Sequence, residues 1–206
     1  MKKVRAVVII LILLTSGVVA FYLRCHNQLI PQGFAPVDIL YHGSVNTNIK
    51  VFEPRNDHFR DENEGAVVFA TPSLGLASCY LFKWDDSWVY QLISWKNDNK
   101  ADYQITMVIS DQARFKQEDN GGAIYILPSK GFEFNDNKGL GIYEWINKEK
   151  VKPLMQINFS SAHEAMKKLG VQLYFIEQGE FKHYLSLPTE GQETFLHNLK
   201  NGKGRV

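Results

Sequence analysis

The longest uninterrupted run of apolar residues lies near the amino terminus. It covers 6–14 (AVVIILILL), follows a basic start at 1–5, and precedes the smaller and more polar 15–20 (TSGVVA). A basic region, an apolar core and small residues at −3 and −1 of a cleavage point, here Val18 and Ala20, are the three parts of a secretory signal. The pattern therefore predicts that the chain leaves the cytoplasm.

The same segment also has the properties of a membrane anchor. Residues 6–23 are 18 mostly apolar residues, which make about 27 Å of helix against a hydrocarbon core of about 30 Å. Basic residues precede the segment, so the positive-inside rule places the rest of the chain outside the cytoplasm in either case. We predict an exported or membrane-anchored protein that meets the membrane only through this segment. A buried helix of a cytosolic protein is the alternative.

Beyond the amino terminus, short apolar runs separated by polar turns predict a strand-rich body. The predicted strands are 38–41, 66–70, 88–93, 104–109, 123–127, 141–146 and 151–159. The predicted helices are 72–82, 160–169 and 190–200. The runs 171–176 and 181–187, separated by EQGE, predict a β-hairpin. This mixture of elements predicts the α+β fold class.

A single domain accounts for this organisation, because 206 residues suit one domain and a targeting segment. Residues 1–24 are predicted as the signal peptide or anchor helix, and 25–37, which contains Pro and Gly, as a linker. Residues 38–187 are predicted as the domain, and 188–206 as a C-terminal helix and tail.

Charge and cysteine content exclude several classes of function. The formal net charge is +1, and without residues 1–20 it is −2, from 20 basic and 22 acidic side chains. Binding to a phosphate backbone requires a basic surface, so nucleic acid is excluded as a main partner. Cys25 and Cys79 could pair in an oxidising compartment. No CxxC, zinc or HExxH pattern is present, so no metal site is predicted.

Three segments carry residues that together suit the chemistry of NAD. They are His42, Gly43 and Ser44 at the end of the first strand, Tyr80 on the helix after 66–70, and Glu144 within 141–146. An imidazole at a strand end can donate to a ribose hydroxyl, a glycine lets the backbone approach a flat amide, and a tyrosine ring can stack on nicotinamide. A lone carboxylate can bind the ribose 2′-hydroxyl and stabilise the oxocarbenium-like charge that forms as nicotinamide departs.

These segments resemble the ADP-ribosyltransferase superfamily, in its poly(ADP-ribose) polymerase and diphtheria-toxin-like branch with a His–Tyr–Glu triad. L-Y-H-G-S at 40–44 looks like that family's L-W-H-G-S. V-F-A-T at 68–71 is similar to its Y-F-A-D, and Y-E-W-I at 143–146 is similar to the strand with its catalytic Glu. The resemblance covers about 38–159, and the motifs stand in the family's order.

The resemblance implies an ADP-ribosyltransferase-like split β-sheet with few peripheral helices. It also implies NAD as the co-substrate and a protein as the acceptor of ADP-ribose. The catalytic residues that it implies are His42, Tyr80 and Glu144. The residues that we expect to contact NAD are His42, Gly43, Ser44, Phe69, Tyr80 and Arg55, of which the loop residue Arg55 is a candidate phosphate contact.

Two departures from the family bear on activity. The family's tyrosine comes ten residues after the aromatic of F-A-D, and counted from Phe69 that position is Cys79, with Tyr80 one residue later. Either the helix is offset by one residue, or Cys79 takes the place of the stacking ring. Of the glycines usual before the second strand, only Gly65 is present.

Each candidate residue also has an ordinary structural explanation. His42 could satisfy backbone groups at a strand end, Tyr80 could belong to the core, and the loop arginine could be an exposed surface residue. Glu144 could be a solvated acid on the outer face of its strand. In that case Glu133 or Glu177 would be the replacement carboxylate.

Two functions stay open at this level. One is a mono-ADP-ribosyltransferase that modifies a protein target, and the other is a degenerate relative that binds a ligand or protein outside the cytoplasm, where NAD is scarce. Transfer of an RNA 2′-phosphate would need basic residues that the sequence does not assemble around His42. A hydrolase built on Ser44 or Cys79 would lack the strand-turn-helix elbow of such enzymes.

Overall fold

The computed structural model describes residues 38–56, 65–95, 103–134 and 144–200. The predicted signal or anchor, the linker and Cys25 lie outside these ranges. Within them, no helix has the length and apolar character needed to cross a membrane.

The described ranges contain nine strands and five helices. In chain order they are β1 Ile39–Ser44, β2 Val68–Ala70, α1 Leu74–Ser78, β3 Val89–Trp95, β4 Tyr103–Ile109, α2 Gln112–Glu118, β5 Gly122–Pro128, β6 Glu133–Phe134, β7 Trp145–Asn147, β8 Met155–Phe159, α3 Ala162–Lys168, β9 Gln172–Phe175, α4 Gln178–Ser186 and α5 Thr189–Lys200. The strands form three small sheets, in the orders β1-β5-β8, β2-β7-β6 and β3-β4-β9. Every pair is antiparallel except β4 with β9. The α+β class is confirmed.

Three apolar clusters fill the spaces between these layers. The first joins α1, α2 and α3 to β4 and β5, and includes Leu76 and Met107. The second joins β1, β2 and β5, and includes Leu40 and Val68. The third joins β4 to α4 and α5, and buries Leu196. The C-terminal helix is therefore packed on the domain, because its apolar face forms part of the third cluster.

The β-hairpin predicted from 171–176 and 181–187 is wrong. The first run forms β9, which is parallel to β4, and the second forms most of α4. Phe181 and Tyr184 are both buried three residues apart, which is a helical spacing. A capping box that begins at Glu177 starts the helix. So short an apolar run fits both the two-residue repeat of a strand and the 3.6-residue repeat of a helix. The cap and the packing in the third cluster favour the helix.

Other predicted elements are shifted at their ends. The helix predicted over 72–82 shortens to α1. The strand predicted over 151–159 starts with an isolated pairing of Val151 with Phe52 and becomes regular only in β8. Pro153 between them has no N–H to pair. The sequence pattern misses α2 altogether, because a helix with one buried residue shows no apolar periodicity.

Candidate functional site

β1 and β2 meet at a single backbone pair and then separate. Tyr41 N–H donates to the carbonyl oxygen of Thr71 at 2.7 Å, and Thr71 N–H donates to that of Tyr41 at 2.9 Å. Beyond this pair β1 runs along β5, whereas β2 runs along β7. The β1-β5-β8 and β2-β7-β6 sheets therefore diverge between β1 and β2.

The divergence leaves an opening in the hydrogen-bond ladder. The backbone groups of an antiparallel strand point alternately to its two neighbours. Because Tyr41 uses its N–H and C=O toward β2, the same groups of Gly43 are directed to the same side, level with Phe69. Val67 pairs with Arg55 at N···O distances of 3.0 Å and closes the other end of β2. We call the opening between Gly43 and Phe69 the β1–β2 gap.

His42 reaches across the β1–β2 gap with its side chain. Its Nδ1 donates to the carbonyl oxygen of Phe69 at 2.7 Å, since a carbonyl oxygen can only accept. Its ring packs on that of Phe52, with centroids 4.6 Å apart. Burial lowers the pKa of His42, the bond to Phe69 opposes this effect, and the charge of Arg55 adds to the lowering.

The protonation of His42 decides what its second nitrogen can bind. A lowered pKa keeps the imidazole neutral at pH 7, and the proton on Nδ1 leaves Nε2 with a lone pair. Nε2 is therefore a hydrogen-bond acceptor. The expectation that His42 donates to a ribose hydroxyl stays a prediction, and in this tautomer the ring can accept a hydrogen bond from such a hydroxyl.

Gly43 is the point at which the end of α1 touches β1. A Cβ at this position would lie 1.8 Å from the carbonyl oxygen of Ala77 and 3.3 Å from the Cβ of Tyr80. The first distance excludes every side chain, because the obstacle is backbone. The glycine is therefore required by the contact between strand and helix. That contact also brings Tyr80 beside the β1–β2 gap.

Tyr80 and Cys79 occupy opposite environments at the end of α1. The side chain of Tyr80 is 38% exposed, so it does not belong to the core. Cys79 is a free and fully buried thiol whose Sγ lies 3.4 Å from the carbonyl oxygen of Gly75. Burial raises the pKa of this thiol to about 12. Of the two residues, only the tyrosine can present a ring to a ligand at the gap.

Glu144 immediately precedes β7 and is only 5% exposed. Among the acidic and basic side chains of the described ranges, it is the only one that is buried. Trp145 pairs with Ala70, so Glu144 stands one step further along, level with the pair that joins β1 and β2. The solvated alternative is wrong for Glu144. Of the two replacements, Glu133 is exposed on β6 and Glu177 caps α4.

The side chains approach the β1–β2 gap from two faces of the strands. Successive residues of a strand point to opposite faces. His42 shares its face with Phe52 and the second apolar cluster, whereas Gly43 faces α1 and Tyr80. Trp145 packs on the second cluster, and Glu144 precedes it just outside β7. The imidazole is therefore separated from Tyr80 by the strands themselves.

The two remaining predicted contacts lie at the margins of the gap. Arg55 is exposed, and it is held by its backbone pairing with Val67 while its charge acts on His42. The hydroxyl of Ser44 accepts from the N–H of Asn46 at 3.1 Å. Ser44 therefore organises the loop that follows β1, whereas the charge of Arg55 is exposed to solvent near His42.

Sequence reasoning missed two aromatic residues that hold this site. Phe52 supports the imidazole of His42, and nothing in its sequence context signals that role. Trp84 lies against Tyr80, with ring centroids 5.7 Å apart and an interplanar angle of 33°. Both residues follow the end of α1, so helical spacing does not produce this contact and no local pattern signals it.

Neither a metal-binding group nor a surface pocket near the C-terminal helices adds to this site. Within the described ranges, no group of His, Cys, Asp and Glu could hold a metal ion. The pocket lies between the end of α4 and α5, against Leu187 and Phe195, and shares no residue with the β1–β2 gap. The chemistry available at the gap is that of backbone amides, a neutral imidazole, an aromatic ring and one buried carboxyl group.

No protein-family model matches the chain, and no curated protein or solved structure matches it significantly. The function must therefore be inferred from the residues at the β1–β2 gap. The gap has a backbone edge at Gly43 and a hydrogen-bond acceptor at His42, with the cation of Arg55 at its margin.

Proposed function

We propose that this chain is an exported or membrane-anchored ADP-ribosyltransferase that transfers ADP-ribose from NAD to a protein. The observation that carries the proposal is the buried carboxyl group of Glu144, level with the pair where β1 and β2 part. We take the β1–β2 gap to be the split of an ADP-ribosyltransferase-like sheet.

Gly43 and Tyr80 would orient the nicotinamide. The backbone N–H and C=O of Gly43 are directed into the gap and have the donor–acceptor pattern that a carboxamide complements. Tyr80 lies next to Gly43, because a Cβ on the glycine would be 3.3 Å from that of the tyrosine. Its exposed ring offers a face on which the pyridinium can stack.

Glu144 would act on the ribose of the same ligand. Two strand spacings of about 4.8 Å put the start of β7 about 10 Å from β1, with β2 between them, so the carboxylate would meet a ribose that lies across β2 on one face of the strands. The carboxylate would hold the 2′-hydroxyl and stabilise positive charge at C1′. The C1′–N bond breaks and its electron pair leaves with nicotinamide. The acceptor's nucleophile then bonds to C1′ and releases its proton.

His42 and Arg55 would bind the remainder of NAD. His42 lies on the other face of the strands, where its neutral Nε2 can accept from a ribose hydroxyl. Arg55 is close enough to lower the pKa of that histidine, so it can reach the pyrophosphate of a ligand bound beside the histidine. NAD would therefore bind around the end of β1, with contacts to residues on both faces of the strands.

Release of nicotinamide from NAD by the full-length chain tests the proposal. We expect turnover by the wild type and by Glu133→Gln, which changes an exposed carboxylate. Glu144→Gln should lower kcat at least about a hundredfold, as loss of one stabilising group does, with the affinity for NAD kept within about threefold. Undiminished kcat in Glu144→Gln would refute the role of Glu144.

The same experiment separates the enzyme from a binding module without chemistry. The predicted location outside the cytoplasm favours such a module, because NAD is scarce there. Saturable binding of NAD by the wild type with no release of nicotinamide would support the module and contradict the transferase. Absence of both binding and release would contradict each of them. Labelling of added protein by radioactive NAD would show that the acceptor is a protein rather than water.

A further inference from the structure

The ring of Tyr80 is held from more than one side. At its base, the backbone of Gly43 lies against the end of α1 without room for a Cβ. At its flank, the indole of Trp84 lies 5.7 Å away at an angle of 33°. The separation is within the range that aromatic pairs prefer, and the two rings are tilted rather than parallel. The orientation of Tyr80 is therefore determined by its neighbours as well as by its own rotamer.

Trp84 is itself anchored to the backbone that carries Tyr80. Its indole N–H donates to the carbonyl oxygen of Cys79 at 2.8 Å, and Cys79 is the residue that ends α1. The rest of the indole packs against the first apolar cluster. Because Cys79 directly precedes Tyr80, this bond ties the indole to the ring it supports. A ring held in this way loses little freedom when a ligand stacks on it.

We propose that Trp84 is a positioning residue, which holds the ring of Tyr80 so that the two rings form a platform for the planar nicotinamide ring. The inference rests on the proposed function, because it assigns the nicotinamide end of NAD to this platform. A flat heteroaromatic ring stacks on the face of a tyrosine ring whether or not it carries a charge. The platform therefore acts on the nicotinamide part of NAD and leaves the binding of the ADP-ribose part unchanged.

Equilibrium binding of three probes to the full-length chain tests this division. The probes are NAD, nicotinamide and ADP-ribose. Trp84→Leu removes the supporting ring, and we expect about tenfold weaker binding of NAD and nicotinamide with ADP-ribose affinity kept within about twofold. Trp84→Phe keeps a ring but loses the N–H bond to Cys79. It should show a smaller loss in the same two affinities.

Phe195→Leu is the matched control, because it removes an aromatic contact of similar length elsewhere. Phe195 lies 5.6 Å from Tyr184 in the third apolar cluster, and its loss should leave all three affinities unchanged. If the Trp84 variants bound nicotinamide and ADP-ribose more weakly by the same factor, Trp84 would have a structural role only and the inference would be overturned. Unchanged affinities for both probes would overturn it as well. If Trp84→Leu does not fold, Trp84→Phe decides on the same criterion.

The wild type distinguishes this inference from the proposed function. If it binds neither NAD nor nicotinamide, the proposed function fails and the platform fails with it. If it binds both and the Trp84 variants bind them equally well, only the platform fails. Release of nicotinamide that persists with a higher KM and an unchanged kcat in Trp84→Phe would support the positioning role, since the platform acts on binding of the ring.

Discussion

The Nδ1 of His42 lies 2.7 Å from the carbonyl oxygen of Phe69, although their two strands share a backbone pair only at Tyr41 and Thr71. The imidazole thus takes the place of a missing ladder partner. A buried carbonyl without a partner is unfavourable, so the histidine stabilises the fold at the point where the sheets diverge. The same bond fixes the tautomer that leaves Nε2 able to accept a hydrogen bond.

His42→Ala should lower the free energy of unfolding by about 1–3 kcal/mol at pH 7.5, because it leaves the carbonyl of Phe69 without its donor. The difference between wild type and variant should depend on pH. The pKa of His42 is lowered in the folded chain from an ordinary value of 6.5. Its contribution is therefore complete above about pH 6.5 and is lost as the pH falls toward the folded pKa.

Urea unfolding of wild type and His42→Ala from pH 5 to 8 measures this dependence. The carboxylates titrate alike in both proteins, so the difference between the two curves isolates the histidine. If the difference in unfolding free energy between wild type and His42→Ala stayed constant or grew as the pH fell, this result would contradict a neutral His42.

Arg55→Gln should raise the pKa of His42, since the positive charge of the arginine disfavours the imidazolium. It should also weaken the binding of NAD about tenfold, through loss of a contact to the pyrophosphate. The affinity for nicotinamide, which has no phosphate, should not change. An NMR titration of the histidine ring and binding measurements check the two effects separately. Lys50→Gln, at an exposed position in the loop after β1, should change neither property.

Gly43→Ala should destabilise the fold by about 1–3 kcal/mol, because the added Cβ would meet the carbonyl oxygen of Ala77 at 1.8 Å. The helix end must then move away from β1 and carry Tyr80 with it. Gly179→Ala is the control, since a Cβ on that glycine of α4 meets nothing within 4 Å. It should stabilise the chain by about 0.5 kcal/mol. Thermal unfolding of both variants gives the comparison, and a neutral Gly43→Ala would refute the packing argument.

Cys79 should resist thiol reagents in the folded chain. Its pKa of about 12 leaves about one thiolate in ten thousand at pH 8, and the side chain is fully buried. In a Cys25→Ser variant, which leaves Cys79 as the remaining cysteine, labelling should be slow in buffer and complete in concentrated urea. Rapid labelling of the folded variant would show that the end of α1 opens easily.

Local patterns were sufficient wherever one segment determined its own structure. Ser161 and Glu164 at the start of α3 satisfy a cap within a few residues, so the helix predicted over 160–169 forms. The alternating burial of β2 and the apolar run of β5 likewise follow from their own residues. The α+β class needed nothing more than these elements.

The assignment of 181–187 depended on contacts that no local pattern contains. Phe181 and Tyr184 could be strand or helix residues in isolation, and the third apolar cluster, with Leu196 from the next helix, decides for the helix. The register of β9 against β4 is likewise set by a parallel pairing across more than sixty residues. The sequence of either strand alone does not indicate such a pairing, because both strands are ordinary apolar runs.

For the candidate site, the sequence by itself determined the residue types and their order. They are an imidazole and a glycine at a strand end, an aromatic residue after the next strand, and one acid within a third. Only the tertiary structure decided that Tyr80 rather than Cys79 is exposed, that Glu144 is buried, and that His42 stands on the opposite face of the strands. The reason is geometric. The exposure of a side chain, its protonation state and the face of the sheet to which it points depend on which strands are neighbours. The neighbours are set by pairings between segments far apart in the chain.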